Sequence, residues 1–456
     1  MSERPVVIVS NRGPVSFRHE GGRLEARRGA GGLISGVGPV VAGTDAVWVA
    51  AAMSDADREA AAGGVIEAEG YRFRALDIDP MTYRAAYDVI SNATLWFVHH
   101  GLFERAHRPR YDDRWWEAWA AYRTVNDAFA RAAAEVAPEG ATVLVQDYHL
   151  ALVGPALRAA RDDLRLVHFS HTPFAGPDDL RLLPTEAARE MLVGLASHHA
   201  CGFHTQRWAA SFRLSCEANG VEPPETFVSP LPIDTDRVLE TAGSEACEQS
   251  LASLEAQLDG RKLIARSDRL ELSKNVLRGF WAFDALLEAE PQWRERVVFG
   301  AFVYPSREGL PEYLAYRQEV ETLAHRVNDR WATADWTPVL LDVTDDYARS
   351  IAALRRYDVL LVNAVRDGLN LVAKEGAVVN ERDGVLVLSP ETGAHEELAG
   401  AYLETHPLDI VETARVLGEA LSMPDDVRRK QAEARRTIVS ARGPADWLAD
   451  LLSAAG

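Results

Sequence analysis

The feature that most constrains this chain is a rhythm, in which short runs of β-branched and apolar residues alternate with longer segments of helical period. Residues 6–10, 46–52, 142–147 and 165–171 read as strands, and residues 115–136 read as a helix among them. Strands separated by helices pair in parallel through crossovers, so the sheet they form is covered by helices on both faces. The rhythm restarts after residue 240, with strands expected at 262–267, 296–303, 338–343, 358–364 and 384–389. The fold class is therefore α/β, with two doubly wound, Rossmann-like domains.

A chain of 456 residues is too long for one hydrophobic core. The expected division is an N-terminal domain at 1–235, a C-terminal domain at 236–440, and a terminal helical segment at 441–456 able to pack back on the first domain. Pro230 and Pro232 interrupt the pattern at 229–236, just before an acidic, Ala/Ser-rich helix at 243–259. A ligand site in a cleft between two such domains is the natural expectation.

The net charge of −19 argues against non-specific binding to nucleic acid or an anionic membrane, because a polyanion is repelled over most of the surface. An anionic ligand must then meet a local cluster of cations. Three cysteines without metal or disulfide spacing, and no apolar run of about 18 residues, point to a reduced cytoplasmic protein that neither enters a membrane nor is secreted. Lysine is scarce, with Lys262, Lys274, Lys374 and Lys430 as the only four.

Two segments have the chemistry of a phosphate site. The loop after strand 262–267 carries Arg269 and Lys274 before a helix expected at 275–288, and ligands of open α/β sheets gather at carboxyl ends of strands. Surface ion pairing is the plain alternative for those two cations. The second segment, Arg366-Asp-Gly-Leu-Asn-Leu-Val-Ala-Lys-Glu375, follows strand 358–364 and opens a helix. Gly368 permits unusual backbone angles, and the first free N–H groups near Asn370 and Leu371 can face a phosphate. Glu375 lies one turn beyond Leu371, where a carboxylate can accept both hydroxyls of a ribose. Capping and surface charge is the alternative there.

Weaker signals surround these. Gly31 and Gly32 sit in a glycine-rich turn between the first strand and a helix at 33–41. Asp147 and His171 end two strands at one sheet edge, a better catalytic pair than either residue alone. His168 and His171 point to opposite faces of a strand and cannot share a metal. The Asp-x-Asp pairs at Asp55/Asp57, Asp77/Asp79 and Asp234/Asp236 are of a kind that chance supplies among 68 acidic residues, so neither a metal nor another cofactor is expected.

Together these segments resemble the trehalose-6-phosphate synthases, retaining glycosyltransferases of family 20 with the two-domain arrangement called GT-B. The landmarks run along nearly the whole chain: Ser10-Asn-Arg12, Gly31-Gly-Leu33, Ser91-Asn-Ala-Thr-Leu-Trp96, Asp147-Tyr-His-Leu150, His171-Thr-Pro-Phe174, Gly202-Phe-His-Thr205, Asp268-Arg-Leu-Glu-Leu-Ser-Lys274, Ser306-Arg307 and the 366–375 segment. The resemblance implies that Gly31, Gly32, Arg269, Lys274, Gly368, Asn370, Leu371 and Glu375 hold a donor nucleotide sugar, with His171 and Asp367 flanking the transferred glucose. Arg12, Tyr87, Trp96, Asp147 and Arg307 would bind the acceptor, glucose 6-phosphate. It implies no protein nucleophile, the leaving phosphate assisting attack on the same face of the sugar.

Departures from the family pattern are specific. Trp48-Val-Ala-Ala51 stands where W-x-G-W is common, His171-Thr-Pro-Phe-Ala175 where His-Ile-Pro-Phe-Pro is usual, and Glu271-Leu272 and Asn275 where Asp-Tyr and Gly are common. Such changes look like those of actinobacterial members, some of which use GDP-glucose, so GDP-glucose is expected over UDP-glucose. A related transferase joining cyclitols, in the manner of validoxylamine-7′-phosphate synthase, and a non-catalytic sugar-nucleotide sensor are the competing readings. A homo-oligomer is compatible with all of them.

Overall fold

The computed structural model describes residues 4–29 and 32–456, which fall into two compact units. One comprises residues up to Leu231 together with Pro444–Gly456, and the other comprises Pro232–Gly443.

The first unit is built on β1 (Val6–Val9), a β2–β3 hairpin (Val15–Glu20 and Arg23–Arg28), β4 (Val47–Ala51), β5 (Val65–Ala68), β6 (Tyr71–Leu76), β7 (Thr142–Gln146), β8 (Arg165–Ser170), β9 (Ala200–Phe203) and β10 (Glu225–Val228). Its eight-stranded sheet has the order β10-β9-β8-β7-β1-β4-β6-β5 and is parallel except for β5. Val7, Ile8 and Val9 are almost wholly buried, as are Val143, Leu144 and Val145 beside them. This is why the central strands read as continuous apolar runs rather than as alternating ones. The order reverses between β1 and β7, so the carboxyl ends of those two strands flank the switch point at which ligands of such sheets bind.

The second unit carries β11 (Lys262–Arg269), β12 (Val297–Tyr304), β13 (Val339–Val343), β14 (Val359–Val362), β15 (Val385–Leu388) and β16 (Leu403–Glu404), all parallel, in the order β13-β12-β11-β14-β15-β16. Counting from β11, that is the 3-2-1-4-5-6 order of a dinucleotide-binding sheet, with its switch point between β11 and β14. Helices Val276–Ala289, Tyr347–Arg356 and Leu371–Val379 pack on it.

Several elements go beyond the sequence reading. Residues Ala85–Leu95 form a π-helix, in which Ser91 Oγ donates to Ala86 O (3.1 Å) and Thr94 Oγ1 to Val89 O (2.7 Å), each five residues back. That reach matches the wider turn, a form that recurs at functional sites. The strand expected to stop at 267 continues to Arg269, because β12 runs on to Tyr304 and pairs with it residue by residue. Arg269 is therefore a strand-end residue and not a loop residue. The final helix, Pro444–Ser453, belongs to the first unit, where the Trp447 indole donates to Ser229 O (3.1 Å). No helix among the described residues is long and apolar enough to cross a membrane.

Candidate functional site

In the second unit the site grows from a buried cation. Arg266 lies on β11 and is fully buried. Its guanidinium donates to Asp268 Oδ2 (2.8 Å), Asn363 Oδ1 (3.2 Å) and the carbonyl of Lys274 (2.6 Å), so the chain between β11 and the next helix folds over it. Asn275 closes that turn at φ +61°, its amide donating to the carbonyls of Asn363 (2.8 Å) and Pro407 (2.6 Å). Gly279 is needed alongside, since a Cβ there would lie 2.9 Å from Arg266 Nη1.

This frame sets out the predicted cations. Lys274 Nζ pairs with Asp367 Oδ2 and stands 3.8 Å from Asp268 Oδ1. Burial opposes its charge, but the two carboxylates outweigh that effect and raise its pKa, so Lys274 is an ammonium at neutral pH. Arg269 keeps 47% of its side chain exposed and lies 3.2 Å from Glu271 Oε1, while Arg307 reaches the same oxygen at 2.9 Å. Burial alone would raise the pKa of Glu271, yet Arg269, Arg307 and Lys274, with a hydrogen bond from Ser306, hold it at about 2. Arg307 itself adopts φ +48° and donates to Tyr313 Oη at 2.7 Å.

The segment after β14 is held from behind by residues 391–394. Asp367 N donates to Glu391 O (3.0 Å), Gly393 N to Asp367 O (3.1 Å) and Ala394 N to Leu369 O (2.8 Å). The two backbones run so close that a Cβ on Gly393 would sit 2.0 Å from Gly368 O. Asn370, at φ +83°, caps the helix Leu371–Val379 by accepting from Ala373 N (3.1 Å) and donates to Asp367 Oδ2 (3.1 Å). On that helix, Glu375 accepts from the Tyr347 hydroxyl at 3.0 Å. The predicted donor residues Arg269, Lys274, Asp367, Gly368, Asn370, Leu371 and Glu375 thus gather at the carboxyl ends of β11 and β14 and the helix that follows. Gly32 opens the helix Gly32–Val41 in the other unit, and Gly31 lies outside the described residues.

In the first unit, Arg12 follows β1 and donates to the Tyr87 hydroxyl at 3.3 Å. Tyr87 is sandwiched between Tyr83 (centroids 5.6 Å) and His149 (5.7 Å). Asp147 takes φ +69° directly after β7, accepts from His171 N (3.2 Å) through its carboxylate, and lies 3.8 Å from His149 Nδ1. The His171 ring donates to Gln146 Oε1 at 2.9 Å, and burial lowers its pKa to about 3, so it is a neutral imidazole at physiological pH. Trp96 is 1% exposed and stacked on His100 at 4.1 Å, inside the wall rather than on its face. Trp48, of the altered aromatic stretch, is also buried and donates to Ser10 Oγ at 2.7 Å.

The three Asp-x-Asp pairs have structural employment. Asp57 completes a capping box with Ser54, Asp79 caps the helix Pro80–Arg84, and Asp234 caps the helix Thr235–Ala242. No cluster of metal-binding side chains occurs among the described residues. Sequence reasoning gave no role to Arg266, Tyr347, Gly393, Gln146 or His149, whose partners include residues 25, 28 and 97 positions away, or which act by backbone proximity. Only Arg266 left a signal, as a charge inside an apolar strand.

Two Rossmann-type sheets, one with paired cations and a helix start at its switch point, are the frame of the GT-B glycosyltransferases, and solved structures of that class match the chain. The chain belongs to glycosyltransferase family 20, whose model matches residues 4–455. It is 32% identical to a trehalose-6-phosphate synthase of Mycolicibacterium vanbaalenii over 98% of this chain and 95% of that protein. It is equally identical, at 32%, to a bifunctional trehalose-6-phosphate synthase/phosphatase of Thermoproteus tenax, covering 98% of this chain and 63% of that longer protein. For a UDP-forming α,α-trehalose-phosphate synthase of Dictyostelium discoideum the shares are 97% and 61%. Among solved structures, a trehalose-phosphate synthase of Burkholderia xenovorans in complex with glucose 6-phosphate superposes with TM-score 0.85 at 28% identity, over 99% of each chain. The E. coli protein bound with UDP-2-fluoro glucose gives 0.86 at 26% identity, over 99% of this chain and 98% of that one.

Proposed function

We propose that this protein transfers glucose from a nucleoside diphosphate glucose to glucose 6-phosphate, with retention, giving α,α-trehalose 6-phosphate. The observation that carries the reading is the meeting of Arg269, Lys274 and the start of the helix Leu371–Val379 at one switch point. A departing diphosphate develops negative charge, and two cations with free helical N–H groups stabilise it there. In this reading Glu375 accepts the ribose hydroxyls. Asp367 and His171, the latter neutral, position the glucose without attacking it.

On the acceptor side, Arg12 binds the phosphate, with Tyr87 and Asp147 engaging the sugar. Trp96 is assigned the same substrate and, being buried, meets it only if the packing around it opens. The relatives named UDP-forming give no support to the preference for GDP-glucose drawn from the sequence departures. A panel of NDP-glucose donors assayed with glucose 6-phosphate tests the reading: nucleoside diphosphate is released only when both substrates are present. No turnover with any donor of the panel sinks it.

A further inference from the structure

Glu375 has one hydrogen-bond partner among the described residues, the hydroxyl of Tyr347, which occupies one carboxylate oxygen and leaves the other without a protein donor. Tyr347 opens the helix Tyr347–Arg356, whose start is fixed by Asp346 accepting from Arg349 N (3.0 Å). The far end of that helix is tied to the helix bearing Glu375 by a separate set of bonds. Tyr357 donates to Gly376 O (3.1 Å), and the Asn380 amide donates to the carbonyls of Leu354 (3.2 Å), Arg355 (3.3 Å) and Tyr357 (3.0 Å). The helix pair is therefore braced at one end without Tyr347, and Tyr347 is 45% exposed, as a residue built only for packing would not be.

We infer that Tyr347 is a positioning residue for the donor nucleotide, its hydroxyl fixing the rotation of the Glu375 carboxylate so that the remaining lone pairs face the 2′- and 3′-hydroxyls of a ribose. The inference rests on the nucleotide-sugar reading above. A carboxylate on a flexible stem accepts two hydroxyls well only in one rotation, and a single donor on Oε1 selects it. Burial raises the pKa of Glu375 and the Tyr347 hydrogen bond opposes that rise, so the same contact favours the ionised acceptor form. Nothing in the sequence joins the two positions, which are 28 residues apart.

Calorimetric titration of the full chain with UDP or GDP and with their 2′-deoxy and 3′-deoxy forms tests this. The wild type loses about tenfold in affinity when either hydroxyl is removed, a hydrogen bond to a charged group. Tyr347→Phe binds the ribonucleotide about fivefold more weakly and the deoxy forms almost as well as the wild type does, so discrimination collapses. In a Glu375→Gln background, Tyr347→Phe has no further effect. A Tyr347→Phe protein that keeps the wild-type ratio of ribo- to deoxynucleotide affinity overturns the inference while leaving the nucleotide-sugar reading intact. A wild type that binds no nucleoside diphosphate overturns both.

Discussion

At the scale of single residues, the proposed donor site is a set of charges held in balance within the protein. Lys274 is paired with Asp367, and Arg269 and Arg307 share Glu271, so every predicted cation there already has an anion beside it. Under the proposed function a diphosphate takes over Lys274 and Arg269, and the Asp367 carboxylate is released to a sugar hydroxyl. Arg269→Ala and Lys274→Ala are each expected to lower kcat/KM by about 10²-fold or more, as loss of a transition-state contact does. The two differ in what they leave behind. Lys274→Ala takes a buried cation from both Asp367 and Asp268, which keep the Asn370 amide and Arg266 beside them, so it also lowers stability in denaturant titrations, whereas Arg269→Ala removes a half-exposed cation, leaves Glu271 paired with Arg307 and is close to neutral there. Near-normal turnover in both variants would mark these cations as ordinary ion pairs.

At the scale of elements, what was legible followed from local chemistry. The central strands could be read because burial on both faces demands uninterrupted Val, Ile and Leu, as in Val6–Val9 and Val359–Val362. The β2–β3 hairpin could not, although Arg23-Leu-Glu-Ala-Arg27 alternates polar with apolar residues, because that strand is mostly exposed, with Leu24 and Ala26 only half-buried, so its apolar face is slight beside the continuous runs of the central strands. The π-helix escaped because no residue pattern separates it from an ordinary helix until its hydroxyls are seen reaching five residues back. Likewise the 366–371 segment announced its glycine and helix start, but not the second backbone that supports it. That support gives a prediction: Gly393→Ala places a methyl carbon against the Gly368 carbonyl, where backbone and not a flexible side chain must yield. Overpacking of this kind costs about 1–3 kcal/mol. Because the displaced segment is the one that presents Asp367 and Asn370, nucleotide affinity should fall more steeply than thermal stability. Calorimetric binding and a melting curve on the same sample compare the two, and equal losses would show that the contact is merely structural.

At the scale of the whole molecule, the last helix is the element that ties sequence ends together, since Pro444–Ser453 returns to the unit that begins the chain. Its Trp447 is 1% exposed, with its ring 4.9 Å from Phe169 and 6.0 Å from His171, and Asp450 accepts from Ser229 Oγ at 2.6 Å. Trp447 thus forms part of the dry surroundings that hold the His171 pKa near 3. An unfolded imidazole takes its proton near pH 6.5, so between about 6.5 and 3 the unfolded state binds more protons than the folded one. Stability from this group is complete above that window and is lost as pH falls through it; buried His198, lowered to about 4, acts in the same direction. Trp447→Ala should therefore do two things at once. It removes a buried aromatic at a cost of about 3–5 kcal/mol. It also admits water to His171, whose pKa rises toward the ordinary value, so its share of the acid dependence shrinks. Denaturant unfolding of both proteins at several pH values reads this as a lower but flatter stability curve between pH 6.5 and 4. Hydrogen exchange should show the loss of protection in β8 and around Ser229, with β11 and β14 unchanged. A mutant curve parallel to that of the wild type would mean that Trp447 packs the unit without governing the histidine.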